Sequence, residues 1–151
     1  KFKQNLKRLN LNLNIQKKDF LKLTTNQSVP SILLDAPCSA LGTFRRNPDV
    51  ASKINQSKLK RNQKIQIQML DKAINILDEN GIIVYIVCSF HPFETINVID
   101  KIAQKHKNIR TLSLDSDKMI KRQNGYFINP LKFKDLGGSD IFFVSVLKKT
   151  K

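Results

Sequence analysis

Two thiols and one carboxylate are the groups in this chain whose types and placing could do chemistry. Cys38 and Cys88 stand fifty residues apart, and each follows an apolar run of the kind that makes a strand buried in a sheet. In the first, Ile32, Leu33 and Leu34 lead to Asp35; in the second, Ile82 to Val87 is a β-branched and aromatic run leading straight to Cys88. Open α/β sheets bind ligands beyond the carboxyl ends of their strands. Pro37 fixes its own φ and biases Ala36 toward extended backbone, so Cys38 sits on a stiff turn, aimed rather than merely present. Two such strands joined by a helix of ordinary crossover length would bring both sulfurs to one sheet edge. A thiolate is a strong nucleophile, but a free cysteine ionises near pH ~8.5, so its surroundings must activate it. The plainer alternative is that each cysteine is a small buried hydrophobe.

The elements that must position these groups can be read in chain order. Residues 1–10 place Phe2, Leu6 and Leu9 at helical spacing among Lys1, Lys3, Lys7 and Arg8, and from Leu9 the pattern becomes Leu11, Leu13, Ile15 alternating with polar residues, which predicts a strand. Asp19 follows. After Asp35, Arg45 and Arg46 precede a turn sequence, Asn47-Pro48-Asp49, that opens a basic segment up to Lys64. Ile67, Leu70, Ile74 and Leu77 mark one face of a helix, with Gly81 as its stop. Pro92 and Glu94 open another helix with an apolar face of Val98, Ile99, Ile102 and Ala103, ending near His106. Residues 107–114 could form a strand, 115–139 read as irregular, and Ile141 to Leu147 closes the sheet. Tyr126, Phe127 and Phe133 lie among lysines, where they could stack bases or be tucked into the core.

At 151 residues the chain suits one domain burying roughly 70% of its unfolded surface. A formal net charge of +15 favours an anionic partner such as a phosphate backbone, the alternative being a lysine-rich solvated surface. No run of 18 apolar residues and no signal-peptide pattern occur, so the reading is a cytoplasmic protein without a membrane partner, whose cysteines are reduced thiols.

Three stretches resemble one family. Asp35 to Asp49 (DAPCSALGTFRRNPD), Ile83 to Glu94 (IVYIVCSFHPFE) and Ser139 to Lys149 (SDIFFVSVLKK) resemble, in order, three motifs of the Sun/Fmu-type RNA cytosine-5 methyltransferases, which include a bacterial 16S ribosomal RNA enzyme. The resemblance runs over the whole chain. Val87, Phe93, Thr95 and Ile141 depart from the motifs. The resemblance implies an α/β, Rossmann-like class I methyltransferase sheet, mostly parallel with an antiparallel last strand. It is incomplete, because the first strands and the glycine-rich loop have no counterpart in residues 1–151. The chain would then be the carboxyl-terminal part of one S-adenosylmethionine-dependent catalytic domain, expected to be monomeric. Its partners would be RNA and the missing amino-terminal part of the same protein, without which it is expected to bind the cofactor weakly.

By the same resemblance Cys88 is the nucleophile, adding to carbon 6 of cytosine so that carbon 5 can attack the methyl group. Cys38 assists release by β-elimination. Asp35 reaches the pyrimidine edge, best as a carboxyl raised by burial, and also borders the cofactor; Pro37 shapes the pocket wall beside it. Asp19 matches the acid that contacts the cofactor's adenine, and Arg45 and Arg46 face the RNA phosphates. The substrate base must be out of its stack. Ribosomal RNA is favoured over transfer RNA, and a non-catalytic RNA-binding remnant is the alternative. A metal site from Cys38, Cys88, His91 and His106 lacks the short ligand pairs of structural zinc, so no metal is expected.

Overall fold

The computed structural model describes residues 2–151; Lys1, counted above with the first helix, lies outside the described residues. The fold is built outward from a parallel pair, β1 (Val29–Asp35) and β2 (Leu77–Val87). Ser31 to Asp35 run opposite Ile82 to Ile86, and the Ala36 N–H extends the ladder to the Ile86 carbonyl at 3.1 Å. The two strands therefore end level, and the turns that follow them leave the same edge of the sheet. Helix α2 (Gln56–Asn75) returns the chain between them. Its start is fixed by Asn55, whose side chain accepts from the Lys58 N–H at 2.9 Å. At its end, Lys149 donates to the carbonyls of Ile74 (3.1 Å) and of Leu77, the first residue of β2 (2.7 Å), tying the helix terminus to the sheet.

The last strand, β6 (Phe143–Lys149), pairs antiparallel with the other side of β2. Its far side is shared by β3 (Ile109–Thr111) and β5 (Gly125–Ile128), and β4 (Met119–Arg122) forms a hairpin with β5. The sheet thus runs β1-β2-β6-β5-β4 with β3 beside β6: parallel in its early strands, antiparallel in its later ones. Helix α3 (Ile96–Lys105) packs with α2 on one face. Between helices and sheet lie Leu34, Ile83, Tyr85 and Val87 against Leu70, Ile74, Ile99 and Ile102. Each such side chain contributes ~1.5–3 kcal/mol on leaving water. Asp71 ties the helices together, binding Lys105 (2.5 Å) and His106 (2.8 Å). Burial alone would raise its carboxyl, but the hydrogen bonds and charges of these two partners outweigh that and hold it below its ordinary value.

Three expectations are corrected. Residues 11–15 form no strand: they are exposed and pair with none of the described strands, leaving the outer edge of β1 open. Gly81 does not stop a helix; α2 ends at Asn75, Leu77 already pairs with Val29, and Gly81 lies within β2 after Asn80, which carries the positive φ of 61°. A side chain at Gly81 would press on Leu77. The irregular reading of 115–139 misses the β4–β5 hairpin and the 3-10 turn at Pro130–Leu136. Of the aromatics there, Tyr126 is buried and Phe127 packs against Phe143 in the core, so neither is free to stack a base, whereas Phe133 lies under the Lys118 ammonium. The first helix forms as Phe2–Arg8 but buries none of its residues.

Candidate active site

Because β1 and β2 end level, Cys38 and Cys88 meet beyond them, with the two Sγ atoms 3.4 Å apart and both partly exposed. The contact lies within hydrogen-bonding range for sulfur, and its effect is asymmetric. For Cys88 the bond from Cys38 is the largest influence, ahead of the raising effect of burial and of the Asp35 and Asp140 carboxylates, and it brings the thiol down to about 7. For Cys38 the same bond, together with burial and the neighbouring Cys88 and Glu94 charges, pushes the thiol up. Cys38 therefore keeps its proton and donates it toward a Cys88 sulfur that ionises near neutral pH.

Backbone contacts fix the two turns. Gly42 donates its N–H to the Cys88 carbonyl at 2.9 Å, and its own carbonyl accepts from the Ile141 N–H at 2.9 Å. All three resemblance motifs thus join at one glycine. A Cβ there would lie 1.8 Å from the Ile141 oxygen and 3.0 Å from the Cys88 carbonyl carbon, so only glycine fits. Two residues earlier, Ala40 is held at φ 63°, a left-handed conformation unusual for a residue with a side chain. Beside Cys38, the Pro37 carbonyl accepts from Gln66 Nε2 at 2.8 Å. Glu94 is fully buried nearby and accepts from Ser39 and Ser89, the residues immediately after the two cysteines.

The remaining candidates are placed as follows. Asp35 ends β1 exposed, not buried as the reading of a raised carboxyl required, because no strand among the described residues covers the outer edge of β1. Its charge opposes ionisation of Cys88. Pro37 is exposed, one residue before Cys38. Asp19 stands apart: it caps the short turn Phe20–Lys22 by accepting from the Leu21 N–H at 3.0 Å, and that turn is bound by Lys72 in the last turn of α2. Arg46 is occupied by Asp140, with Nε 2.8 and 3.1 Å from its two oxygens, so of the pair expected to meet phosphates it spends its fork inside the chain. Arg45 is exposed beside Gly138. Next to the Cys88 turn, Phe44, Phe90, Leu41, Arg45 and Ile141 line an apolar cleft of about 420 Å³ whose two phenylalanines are 50% and 45% exposed. A larger cleft of about 540 Å³ lies at the opposite end of β1, between Lys18, Phe20, Thr24, Val29 and Ile76, roughly 20 Å away by strand length.

Sequence reasoning missed Gly42, Asp140 and the burial of Glu94. Only Gly42 carries a signal, a lone glycine following a Pro-Cys turn. Of the four residues weighed for a metal, His106 is bound to Asp71 and His91 Nδ1 accepts from the Phe93 N–H at 3.2 Å; among the described residues no group of three or more metal-ligating side chains converges. No helix among them is long and apolar enough to cross a membrane.

Comparison with known proteins places this geometry in a family. The chain is 31% identical over 150 residues to the ribosomal RNA small subunit methyltransferase B of Photorhabdus laumondii, covering 97% of this chain and 33% of that protein. Among solved structures it is similar to a methyltransferase homologue from Pyrococcus horikoshii (26% identity, TM-score 0.75, 97% of this chain and 48% of that one). It also shares its fold with NSun6 from Pyrococcus horikoshii, solved with SFG (24% identity, TM-score 0.80, 99% of this chain and 38% of that one). The chain spans about a third of the length of the curated relatives it matches. The model of the 16S rRNA methyltransferase RsmB/F family matches residues 1–148, and the chain belongs to that family.

Proposed function

We propose that this chain is the carboxyl-terminal part of the catalytic domain of an S-adenosylmethionine-dependent enzyme that methylates carbon 5 of a cytosine in 16S ribosomal RNA. The observation that carries the reading is the unequal thiol pair, one sulfur made nucleophilic at neutral pH by a second that keeps its proton. A thiolate at Cys88 adds to carbon 6 of the base and pushes its electron pair into the ring, which leaves carbon 5 able to attack an electrophilic methyl group. A base, water in the simplest balance, then takes the carbon 5 proton; the freed electron pair re-forms the ring double bond and expels the sulfur by β-elimination, and Cys38, 3.4 Å away, stabilises the departing thiolate by donating a hydrogen bond to it, which restores the resting pair.

The cofactor, when bound, supplies the methyl group. The described residues fit one wall of its site: Asp35 presents an exposed carboxylate at a strand end, suited to an ammonium or hydroxyl group, and Pro37 lies beside it. Asp19 sits on the turn held by Lys72 at the end of α2, apart from Asp35. The outer edge of β1 and the bare outer face of the sheet, where Leu33 is 70% exposed, fit a cover supplied by the rest of such a protein. RNA is favoured by the +15 charge, and Phe44 and Phe90 offer faces on which an unstacked base can lie.

The test is covalent capture. RNA containing 5-azacytidine cannot complete the elimination, so the whole protein carrying this chain should become linked to it through Cys88, located by mass spectrometry. RNA binding without any adduct would leave only the reading of a non-catalytic remnant. Calorimetry on residues 1–151 should show cofactor binding weaker than micromolar; micromolar binding would refute the view that most of the cofactor site lies outside them.

A further inference from the structure

We propose that Glu94 is a positioning residue for the thiol pair: its buried carboxylate clamps the turn after β1 to the turn after β2 and so sets how the two sulfurs meet. The carboxylate is fully buried and receives four donors from three parts of the chain. The Ser39 N–H (2.8 Å) and Asn62 Nδ2 of α2 (2.8 Å) reach Oε1, while the Ser39 hydroxyl (2.5 Å) and the Ser89 hydroxyl (2.6 Å) reach Oε2. Glu94 is itself held, its backbone carbonyl by the Tyr85 hydroxyl at 2.8 Å and its N–H by the His91 carbonyl at 2.9 Å.

The placing of those donors gives the clamp its consequence. Ser39 follows Cys38 and Ser89 follows Cys88, so the carboxylate lies one residue from each sulfur-bearing residue and touches neither sulfur. A buried carboxylate has four lone-pair directions, and here each meets a donor; no apolar residue could hold both serines in the same way. Misplacement of ~1 Å at reacting groups can cost on the order of a hundredfold in rate, and a shift of that size would take the sulfurs out of bonding range. This role deepens the methyl-transfer reading and rests on it for its catalytic meaning, but the clamp acts on the thiols in the absence of RNA and cofactor.

The experiment is therefore done on residues 1–151 alone. The pH dependence of iodoacetamide alkylation at Cys88 is followed by mass spectrometry, beside unfolding temperature and circular dichroism. In the unaltered chain the midpoint should fall at about 7. In Glu94→Ala it should rise by a unit or more toward that of a free cysteine, cutting the thiolate present at pH 7 about five-fold. Glu94→Gln, which can still engage both serines, should recover part of the difference. Ile102→Val, buried in α3 away from the site, should lower the unfolding temperature without moving the midpoint. A folded Glu94→Ala chain with an unmoved midpoint would overturn the proposal. If that variant does not fold, Ser39→Ala/Ser89→Ala, which leaves the carboxylate two of its donors, decides on the same readout: a raised midpoint supports the clamp and an unmoved one overturns it. Failure of RNA capture in the whole protein would remove the methyl-transfer reading while leaving the clamp result standing.

Discussion

Replacing Gly42 by alanine should damage this site more than any other single methyl group. The added carbon would lie 1.8 Å from the Ile141 carbonyl oxygen, 2.9 Å from its carbon and 3.0 Å from the Cys88 carbonyl carbon. All three are backbone atoms, so no side chain can swing aside. The turn must move by more than 1 Å to reach ordinary contact, and it cannot do so while Gly42 donates to Cys88 and accepts from Ile141 at 2.9 Å each. Losing both bonds costs ~2 kcal/mol, and residual strain raises the total to roughly 2–4 kcal/mol. For a domain of this size that lowers the unfolding temperature by roughly 5–15 °C. Thermal unfolding by circular dichroism measures the loss, and alkylation of Cys88 at pH 7 should slow in the same variant because the Cys88 carbonyl loses its tether. A loss under about 1 kcal/mol with unchanged alkylation would refute the claim that the three motifs are stitched at this residue.

Ala40→Gly should do the opposite: relief of the left-handed φ of 63° is worth ~1–2 kcal/mol, offset by ~0.5–1 kcal/mol of extra unfolded-chain entropy, for a small net gain in unfolding temperature. In the whole protein, Cys88→Ala should abolish both methylation and capture, whereas Cys38→Ala should let a covalent RNA adduct accumulate because release is slowed; identical behaviour of the two would refute the division of roles. Asp71, held low by Lys105 and His106, contributes stability that is present above the carboxylate's unfolded value of ~3.9 and lost as pH falls through its lowered folded value. The gap in unfolding temperature between the unaltered chain and Asp71→Asn should therefore be open at pH 7 and closed near pH 2; a gap independent of pH would refute it.

The parts of the fold that the sequence displays are those where a local pattern has only one use. The runs ending at Asp35 and Val87, the apolar face of α3 and the closing strand are each apolar enough to mark an element of the sheet or its cover, although the expectation that the first run is buried on both faces is corrected: it buries only Leu34 and leaves Leu33 70% exposed. Residues 11–15 show the limit of that logic, because alternation tells which side chains share a face but not whether a neighbouring strand exists to accept the ladder. The β4–β5 hairpin failed for a different reason: strands of four residues are shorter than the window in which periodicity can be counted, which left Asn124-Gly125 as the only local sign. Glu94 was hidden by a satisfactory local explanation. An acid near a helix start suits the helix dipole, and nothing local says that Ser39, 55 residues earlier, folds over it and takes it out of water.

The same contrast between local and distant information separates the two thiols. In sequence Cys38 and Cys88 are equivalent, each at the end of an apolar strand, and only the resemblance separates nucleophile from assistant. In the structure their equivalence is broken by what surrounds them. Cys38 is the more deeply enclosed and feels the Glu94 charge, both of which oppose a second negative charge, while Cys88 receives the one available S–H as a donor. A single proton shared by two sulfurs 3.4 Å apart must rest on the one whose anion is costlier, so Cys88 is left as the sulfur that ionises, which supports the proposed assignment of Cys88 as nucleophile and Cys38 as its assistant.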